Sequence, residues 1–288
     1  MRLELHLHST CSDGSLEPEQ LAQPLLDFGP ELVCLTDHDT MAGCERLARG
    51  LSADPRGREV RVLRGLELSC KHAGRTIHLL IWGVARRGMA QLELRLAEQL
   101  RRRRERIVTI CERLASLGVG LDPEPILAGA SGRTPGRPDV AKALVAAGVV
   151  SSIRAAFDQF LRDDGPADVP IASLELDEAL ALGREAGARM GLAHPHTLRH
   201  YSVVRELFQR FRGAGLEGIE AYYGTTSRAR AEPWLRLARE LDLVATAGSD
   251  FHGDALPDIS RPGIELPTRE AGRLRDWFAD VEVLRAAD

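Results

Sequence analysis

The sequence predicts an α/β fold of barrel type, with strands and helices in alternation and one all-helical insertion. Three observations carry that expectation. Short β-rich runs are separated by amphipathic stretches, a long interval keeps helical spacing with no strand pattern, and His, Asp and Glu recur at or near the carboxyl ends of the apolar runs.

The β-rich runs are residues 2–8, 31–36, 60–66, 76–83, 188–193, 216–221 and 243–247. Between the first two, Ser15 can cap a helix whose first turn holds Glu17 and Pro18 and whose end is marked by Gly29. Ser173 can cap another helix running to about Gly187. From about residue 90 the alternation breaks: Leu92, Leu96, Leu100, Ile107, Cys111 and Leu114 recur at helical spacing up to Gly118, and shorter helical patterns follow near 138–147 and 152–162. A structureless loop of that length is improbable, so residues 91–172 read as an inserted helical subdomain that caps a barrel built from 1–90 and 173–288. The run Arg101–Arg104 on its first helix could face a polyanion, although a charge run is ordinarily a solvated face.

Composition narrows the function classes. The 288 residues are 44% hydrophobic and 28% charged, as in an ordinary soluble domain. Lys+Arg number 38 against 42 Asp+Glu, a formal charge of −4, which argues against indiscriminate nucleic-acid binding and leaves no expectation of a duplex DNA partner. No apolar stretch approaches the roughly 20 residues of a membrane span. Histidines interrupt the first ten residues, MRLELHLHST, where an export signal would be continuously apolar, so the expected location is the cytoplasm. Five cysteines, at 11, 34, 44, 70 and 111, show no CxxC pairing and read as free thiols. No feature points to an obligate protein partner.

The chemistry lies in the strand-associated residues. In Glu-Leu-His-Leu-His, residues 4–8, period two puts His6 and His8 on one face and Leu5 and Leu7 on the other. Asp13 follows in STCSDGS, Asp37 and His38 in LTDHDT, and Glu67 at the end of the third run in RGLELS. His78 lies in TIHLLIWG, His194 in GLAHPH, and Asp250 with His252 in AGSDFHG. In α/β barrels the carboxyl ends of strands converge on the site. Burying so many ionisable groups together is costly unless cations compensate them, so the cluster predicts metal. Imidazole and carboxylate without thiolate suit Mn²⁺, Fe²⁺ or Zn²⁺, in a catalytic rather than a structural site. His196, two residues after His194, could act as an acid or contact substrate, and Arg137, after Gly136 and before a helical pattern, could receive a phosphate or simply form a surface ion pair. Tyr222 and Tyr223 could stack on a base or pack at the rim, and Glu220 could accept a hydrogen bond from a ligand.

In this order, HLHSTCSDGS, LTDHDT, GLELS, the His78 strand, AHP and GSDFH resemble the successive motifs of the PHP (polymerase and histidinol phosphatase) superfamily. GRPDVAKALVAAGVV with FDQFL further resembles the branch of nucleoside 3′,5′-bisphosphate phosphatases and 5′-to-3′ exoribonucleases. The resemblance implies a distorted (β/α)₇ barrel with two or three divalent metal ions, Mn²⁺ first among them, at its mouth. It implies one ion on His6, His8, Glu67 and Asp250, with Glu67 bridging, a second on Glu67, His78 and His194, and a third on Asp13, His38 and His252. Asp13, His38, Glu67, His194, Asp250 and His252 are then the catalytic set, and Asp37 orients ligands from outside it. The implied reaction is hydrolysis of a small phosphorylated substrate by a metal-bound hydroxide. A nucleoside 3′,5′-bisphosphate or a short oligonucleotide 5′ end is the substrate class, with histidinol phosphate as an alternative. The branch pattern is broken at Asp139, Gly165 and Asp168, where histidine, lysine and tyrosine are usual, and two acidic replacements would repel a second phosphate. A binuclear amidohydrolase and a non-catalytic metal-binding regulatory module remain as readings of a different class.

Overall fold

A computed structural model describes residues 1–170, 173–224 and 227–284. The expected end of the insertion at 172 and the last four residues lie outside them. The strands are β1 (Arg2–Glu4), β2 (Leu32–Leu35), β3 (Arg61–His72), β4 (Arg75–Trp82), β5 (Leu174–Glu175), β6 (Arg189–Leu192), β7 (Leu216–Tyr223), β8 (Val244–Gly248) and β9 (Ile264–Glu265). The helices before β5 are α1 (Ala22–Phe28), α2 (Cys44–Ser52), α3 (Met89–Ser116), α4 (Pro123–Gly129), α5 (Arg137–Ala146) and α6 (Ile153–Ala156). After it come α7 (Leu176–Glu185), α8 (Tyr201–Phe211), α9 (Arg228–Glu240) and α10 (Thr268–Trp277).

The chain divides into two compact units, Met1–Leu94 with Leu174–Asp288, and Arg95–Ser173. In the first, the strands hydrogen-bond in the order β8-β7-β6-β4-β3-β2-β1-β9, with β5 beside β3. The segments that follow β1 and β8 close the circuit. Leu7 pairs in parallel with Phe251, the Asp250 N–H donates to the His6 carbonyl at 2.7 Å, and the His8 N–H donates to the Phe251 carbonyl at 2.9 Å. The ring is therefore a distorted seven-stranded α/β barrel of β1, β2, β3, β4, β6, β7 and β8.

The distortion has a local cause. Ala73 and Gly74 both take positive φ, 48° and 75°, the requirement of a two-residue hairpin turn. That hairpin sends β4 back antiparallel to β3, and β6 then pairs antiparallel to β4. It also lengthens the third strand, which runs to His72 instead of ending beside Leu66 and Glu67 as the sequence suggests. Parallel pairing with β2 ends at Arg64, and pairing with β4 carries the strand onward.

Two helix starts also differ from expectation. Ser15 caps no helix of its own; its Oγ accepts the Asp254 N–H at 2.9 Å and its N–H donates to the His252 carbonyl. The helix that follows begins only at Ala22, with Gly29 closing it at φ 72°. At α7 the cap is Glu175, in a capping box with Glu178.

The barrel core joins Leu3 and Leu5 with Leu32, Cys34, Leu63, Leu80, Trp82, Val244, Leu274 and Phe278. Trp82 is fully buried and satisfies its indole N–H on the Leu5 carbonyl at 2.8 Å. The helical unit has its own core, including Ile107, Ile110, Leu114, Val140, Leu144 and Leu161. In its arginine run, Arg101 pairs with Glu105 and Arg102 with Glu98 one helical turn away, the pattern of a solvated face. Arg103 is buried instead. The described residues contain no helix long and apolar enough to cross a membrane.

Phe278 is fully buried with its ring 6.0 Å from Trp82 and 4.9 Å from Trp277. Phe278→Ala is expected to destabilise the protein by about 3–5 kcal/mol. Urea unfolding followed by tryptophan fluorescence checks this through a lowered midpoint with an unchanged slope.

Candidate metal centre

Period two continues past β1, so Glu4, His6 and His8 point one way while Leu5 and Leu7 point the other, all of them buried. His38 follows β2 and pairs across to Glu67 in β3. His194 follows β6, and Asp250 with His252 follow β8. His78 lies early in β4, yet the reversed direction of that strand sets it opposite Ser69, beyond Glu67. One antiparallel strand thus contributes from its beginning what parallel strands contribute from their ends.

Five imidazoles converge on the Glu67 carboxylate, itself only 1% exposed. Oε2 lies 3.3 Å from His6 Nε2, 3.2 Å from His8 Nε2 and 3.0 Å from His38 Nδ1. Oε1 lies 2.9 Å from both His78 Nδ1 and His194 Nε2. Asp250 Oδ1 completes the first group, 3.2 Å from His6 Nε2 and 3.1 Å from His8 Nε2. His6 Nε2, His8 Nε2, His38 Nδ1 and Glu67 Oε2 are buried and make no hydrogen bond. Atoms so close and so orphaned fit a shared cation, because ligands about 2.1 Å from one ion stand about 3.0–3.4 Å apart.

Three donor groups can be distinguished. His6, His8, Glu67 and Asp250 form one, and His38, Glu67 and His78 another, with His194 Nε2 3.3 Å from His78 Nδ1. The third is Asp13, His38 and His252 together with His8, which the sequence reading did not include there. Asp13 Oδ1 is 3.3 Å from His252 Nε2 and 3.7 Å from His8 Nδ1, while Oδ2 is 3.7 Å from His38 Nε2. All five cysteines are free and buried, and none joins a group.

Electrostatics supports the same fit. Burial alone would depress the basicity of His6, but Glu220, Asp250 and Glu67 outweigh it and raise the pKa well above the ordinary value. His8 behaves alike, reaching about 10 through burial opposed by Asp250 and Glu67. His38 falls to about 3 because burial outweighs its carboxylate neighbours. Glu67 and Asp250 lie well below the carboxylate range despite burial, held there by the imidazoles. Protons thus compensate the buried carboxylates in part, and divalent ions binding there would release them.

A second layer of buried carboxylates fixes these donors. Glu220 receives His6 Nδ1 at 2.8 Å and the His194 N–H at 2.6 Å. Asp37 contacts no imidazole directly; it accepts the Ser9 N–H, the Ser9 hydroxyl and the Ser12 hydroxyl, each at 2.7 Å, and Ser12 Oγ lies 3.4 Å from His8 Nδ1. Glu4, given no role from sequence, accepts the N–H of His6 and of Ser249, each at 3.0 Å, and the Ser249 hydroxyl and the Gly263 N–H, each at 2.5 Å. Its signal was its place two residues before His6 on the same face of an extended chain. Tyr223 donates to Asp250 Oδ2 at 2.8 Å, which ties its hydroxyl to the centre. His194 and Asp250 also carry positive φ, 26° and 56°, a strained conformation of the kind found at functional sites.

The remaining sequence candidates have other surroundings. His196 is exposed, its ring 4.7 Å from that of Tyr223, and partial burial and His194 lower its pKa. In the helical unit, Arg137 donates to Asp163 at 2.7 Å and to the Leu161 carbonyl at 2.9 Å. Asp139 accepts Arg133 at 2.6 Å and the Gly136 N–H at 2.8 Å. Asp168 lies 3.6 Å from both Arg106 and Arg137. The two acidic departures are therefore paired with arginines inside the helical unit. At Gly165 a Cβ would stand 2.7 Å from the Arg162 carbonyl oxygen and 2.8 Å from that of Phe160, so this turn is shaped for glycine.

Gly248 sets the spacing of the centre, since a Cβ there would lie 2.2 Å from His6 Cβ and 2.9 Å from Glu220 Oε1. Gly248→Ala is expected to cut bound manganese, read by elemental analysis, at least severalfold. Gly272→Ala, where a Cβ meets nothing within 4 Å, serves as the control.

The PHP domain profile matches residues 4–113. A 5′-3′ exoribonuclease of Haemophilus influenzae is 30% identical over 254 residues, covering 87% of this chain and 90% of that protein. A 3′,5′-nucleoside bisphosphate phosphatase of Chromobacterium violaceum is 30% identical, covering 90% and 94%. A phosphoribosyl 1,2-cyclic phosphate 1,2-diphosphodiesterase of Eggerthella lenta is 31% identical, covering 87% and 94%. Among solved structures, one described as an amidohydrolase of C. violaceum with bound sulfate superposes with TM-score 0.84 at 27% identity, covering 99% and 98% of the two chains. Another, from Bifidobacterium adolescentis and assigned as a metal-dependent phosphoesterase, gives 0.80 at 25% identity, covering 95% of each. With relatives this similar along nearly its whole length, and with the motif residues gathered about one carboxylate, the chain belongs to the PHP-domain family.

Proposed function

We propose that this PHP-family phosphoester hydrolase removes phosphate from a nucleotide, with a nucleoside 3′,5′-bisphosphate or the 5′ end of a short oligonucleotide as substrate. The observation that carries the reading is the sharing of donors: Glu67 belongs to two donor groups, and His8 and His38 each to two. Shared donors imply adjacent ions, so the centre is assigned as trinuclear. His6, His8, Glu67 and Asp250 would hold one ion, Glu67, His78 and His194 a second, and Asp13, His38 and His252, with His8 alongside, a third. Manganese is the working assignment, and Fe²⁺ and Zn²⁺ suit the same oxygen and nitrogen donors. Free, buried cysteines accord with a reducing cytoplasmic location.

Phosphate-monoester hydrolysis needs on the order of 20 kcal/mol of barrier reduction. Bound divalent ions would supply Lewis acidity, neutralising phosphoryl oxygens and acidifying an attacking water. The chain's own contribution is positional. Glu220 holds the ring of His6 and the backbone of His194, and Tyr223 fixes one oxygen of Asp250 so that the other faces the imidazoles. His196 is assigned as a substrate contact; its lowered pKa keeps it neutral near pH 7, which suits hydrogen bonding better than proton donation. Arg137 is assigned to a substrate anion.

An amidohydrolase reading has support in the description of one structural neighbour. The Asp13, His38 and His252 donors favour phosphoester chemistry, since a binuclear carbonyl hydrolase leaves them without a task. A histidinol phosphate phosphatase shares the same centre. A panel of p-nitrophenyl phosphate, bis-p-nitrophenyl phosphate, histidinol phosphate, adenosine 3′,5′-bisphosphate and simple amides, assayed with Mn²⁺, decides among them. Turnover of the bisphosphate is expected, and amide turnover without phosphoester turnover would overturn the reading. His6→Ala and Glu67→Ala are each expected to lower kcat by at least a thousandfold together with bound manganese. A non-catalytic metal-binding protein would lose the metal with no activity to lose.

A further inference from the structure

A cavity of about 420 Å³ lies beside the carboxyl ends of β7 and β8, lined by Gly224, Ser249, Ile259, Ser260, Arg261 and Gly263. That volume is within the range of small-molecule sites, roughly 300–1,000 Å³. Its lining is adjacent in the chain to the metal centre: Ser249 precedes Asp250, and Gly224 follows Tyr223, each step being about 3.8 Å of backbone.

The wall is tied to the centre by the Glu4 carboxylate. One oxygen accepts the N–H groups of His6 and Ser249, and the other accepts the Ser249 hydroxyl and the Gly263 N–H. The clasp thus fixes the loop carrying Ser260 and Arg261 relative to the strands that carry His6 and Asp250. Gly224 is also pinned, its N–H donating to the Gly248 carbonyl at 3.0 Å.

Among the described residues of the lining, Arg261 is the one that is charged, and it is exposed. It makes no hydrogen bond or ion pair among the described residues, unlike Arg137, Arg133 and Arg106 of the helical unit. The described residues of the lining include no aromatic ring, so they offer no surface on which a base could stack. A planar guanidinium beside a serine hydroxyl matches the oxygens of a phosphate.

We propose that this cavity holds a second phosphate group of the substrate, one sugar away from the phosphate being hydrolysed, with Arg261 as its anion contact and the Glu4 clasp setting its distance from the centre. This deepens the nucleotide reading and rests on it. Specificity for doubly phosphorylated substrates then resides in residues 259–263, outside the motifs that form the metal centre.

The test is the ratio of kcat/KM for adenosine 3′,5′-bisphosphate to that for p-nitrophenyl phosphate, in the manganese enzyme. Arg261→Ala is expected to lower this ratio at least tenfold, mostly through KM, and Arg261→Lys to recover part of it. The same ratio for a 5′-phosphorylated dinucleotide separates two sources of the group: loss with the bisphosphate alone assigns a terminal monoester, and loss with both assigns a phosphate in either linkage. A ratio within twofold of wild type for both substrates overturns the proposal. Should the wild type hydrolyse no phosphoester, the functional reading fails by itself. Calorimetric titration of adenosine 3′,5′-bisphosphate into wild type and Arg261→Ala then decides the subsite, with a tenfold weaker affinity expected and equal affinities overturning it.

Discussion

The structure depends on keeping one carboxylate, that of Glu67, ionised in a place water barely reaches. Taking a charge out of water costs several kcal/mol even after relaxation, and the cost is recovered only by close opposite charge. Here the carboxylate faces five imidazoles from β4 and from the segments following β1, β2 and β6, and those of His6, His8 and His194 have pKa values raised by their carboxylate neighbours. No one segment could supply that shell. The barrel can be understood as the means of bringing those segments to one end, and the reversal of β4 as the way His78 reaches it.

Around that centre stands a set of buried acids whose work is done on backbone and rings. Glu4, Asp37 and Glu220 each connect segments that are remote in sequence, and each does so with short hydrogen bonds to groups next to a donor residue. Asp39 adds a similar tie, accepting the Ser69 N–H at 2.7 Å. Such ties restrict the donors to a narrow range of positions, and polar groups buried this way are costly if left half-satisfied. Precision at the centre is thus obtained from hydrogen bonding in the layer behind it as much as from packing.

Much of this was legible in the sequence because it obeys short-range rules. All seven β-rich runs became strands, since an apolar run flanked by turn residues has few other outcomes, and the HxH pair faces inward because side chains alternate along extended chain. What escaped was decided by tertiary partners. The β3 strand overran its expected end because β4 was there to pair with it. Ser15 had the appearance of a helix cap, yet it caps the turn after His252, more than two hundred residues away. Asp139 and Asp168 appeared as unbalanced charge until Arg133, Arg106 and Arg137 were found beside them. Glu4 sat in plain view within the first motif, and only the fold disclosed the three segments it joins.

Barrel closure joins the chain's beginning to its far end: His6 accepts from Asp250, and His8 donates to Phe251. Contacts of such long sequence separation form late and slowly, because loop entropy must be overcome before they are rewarded. The donor group that includes Asp250 is therefore complete only in the closed barrel, whereas His38, Glu67 and His78 are brought together by β3, β4 and the segment after β2 alone.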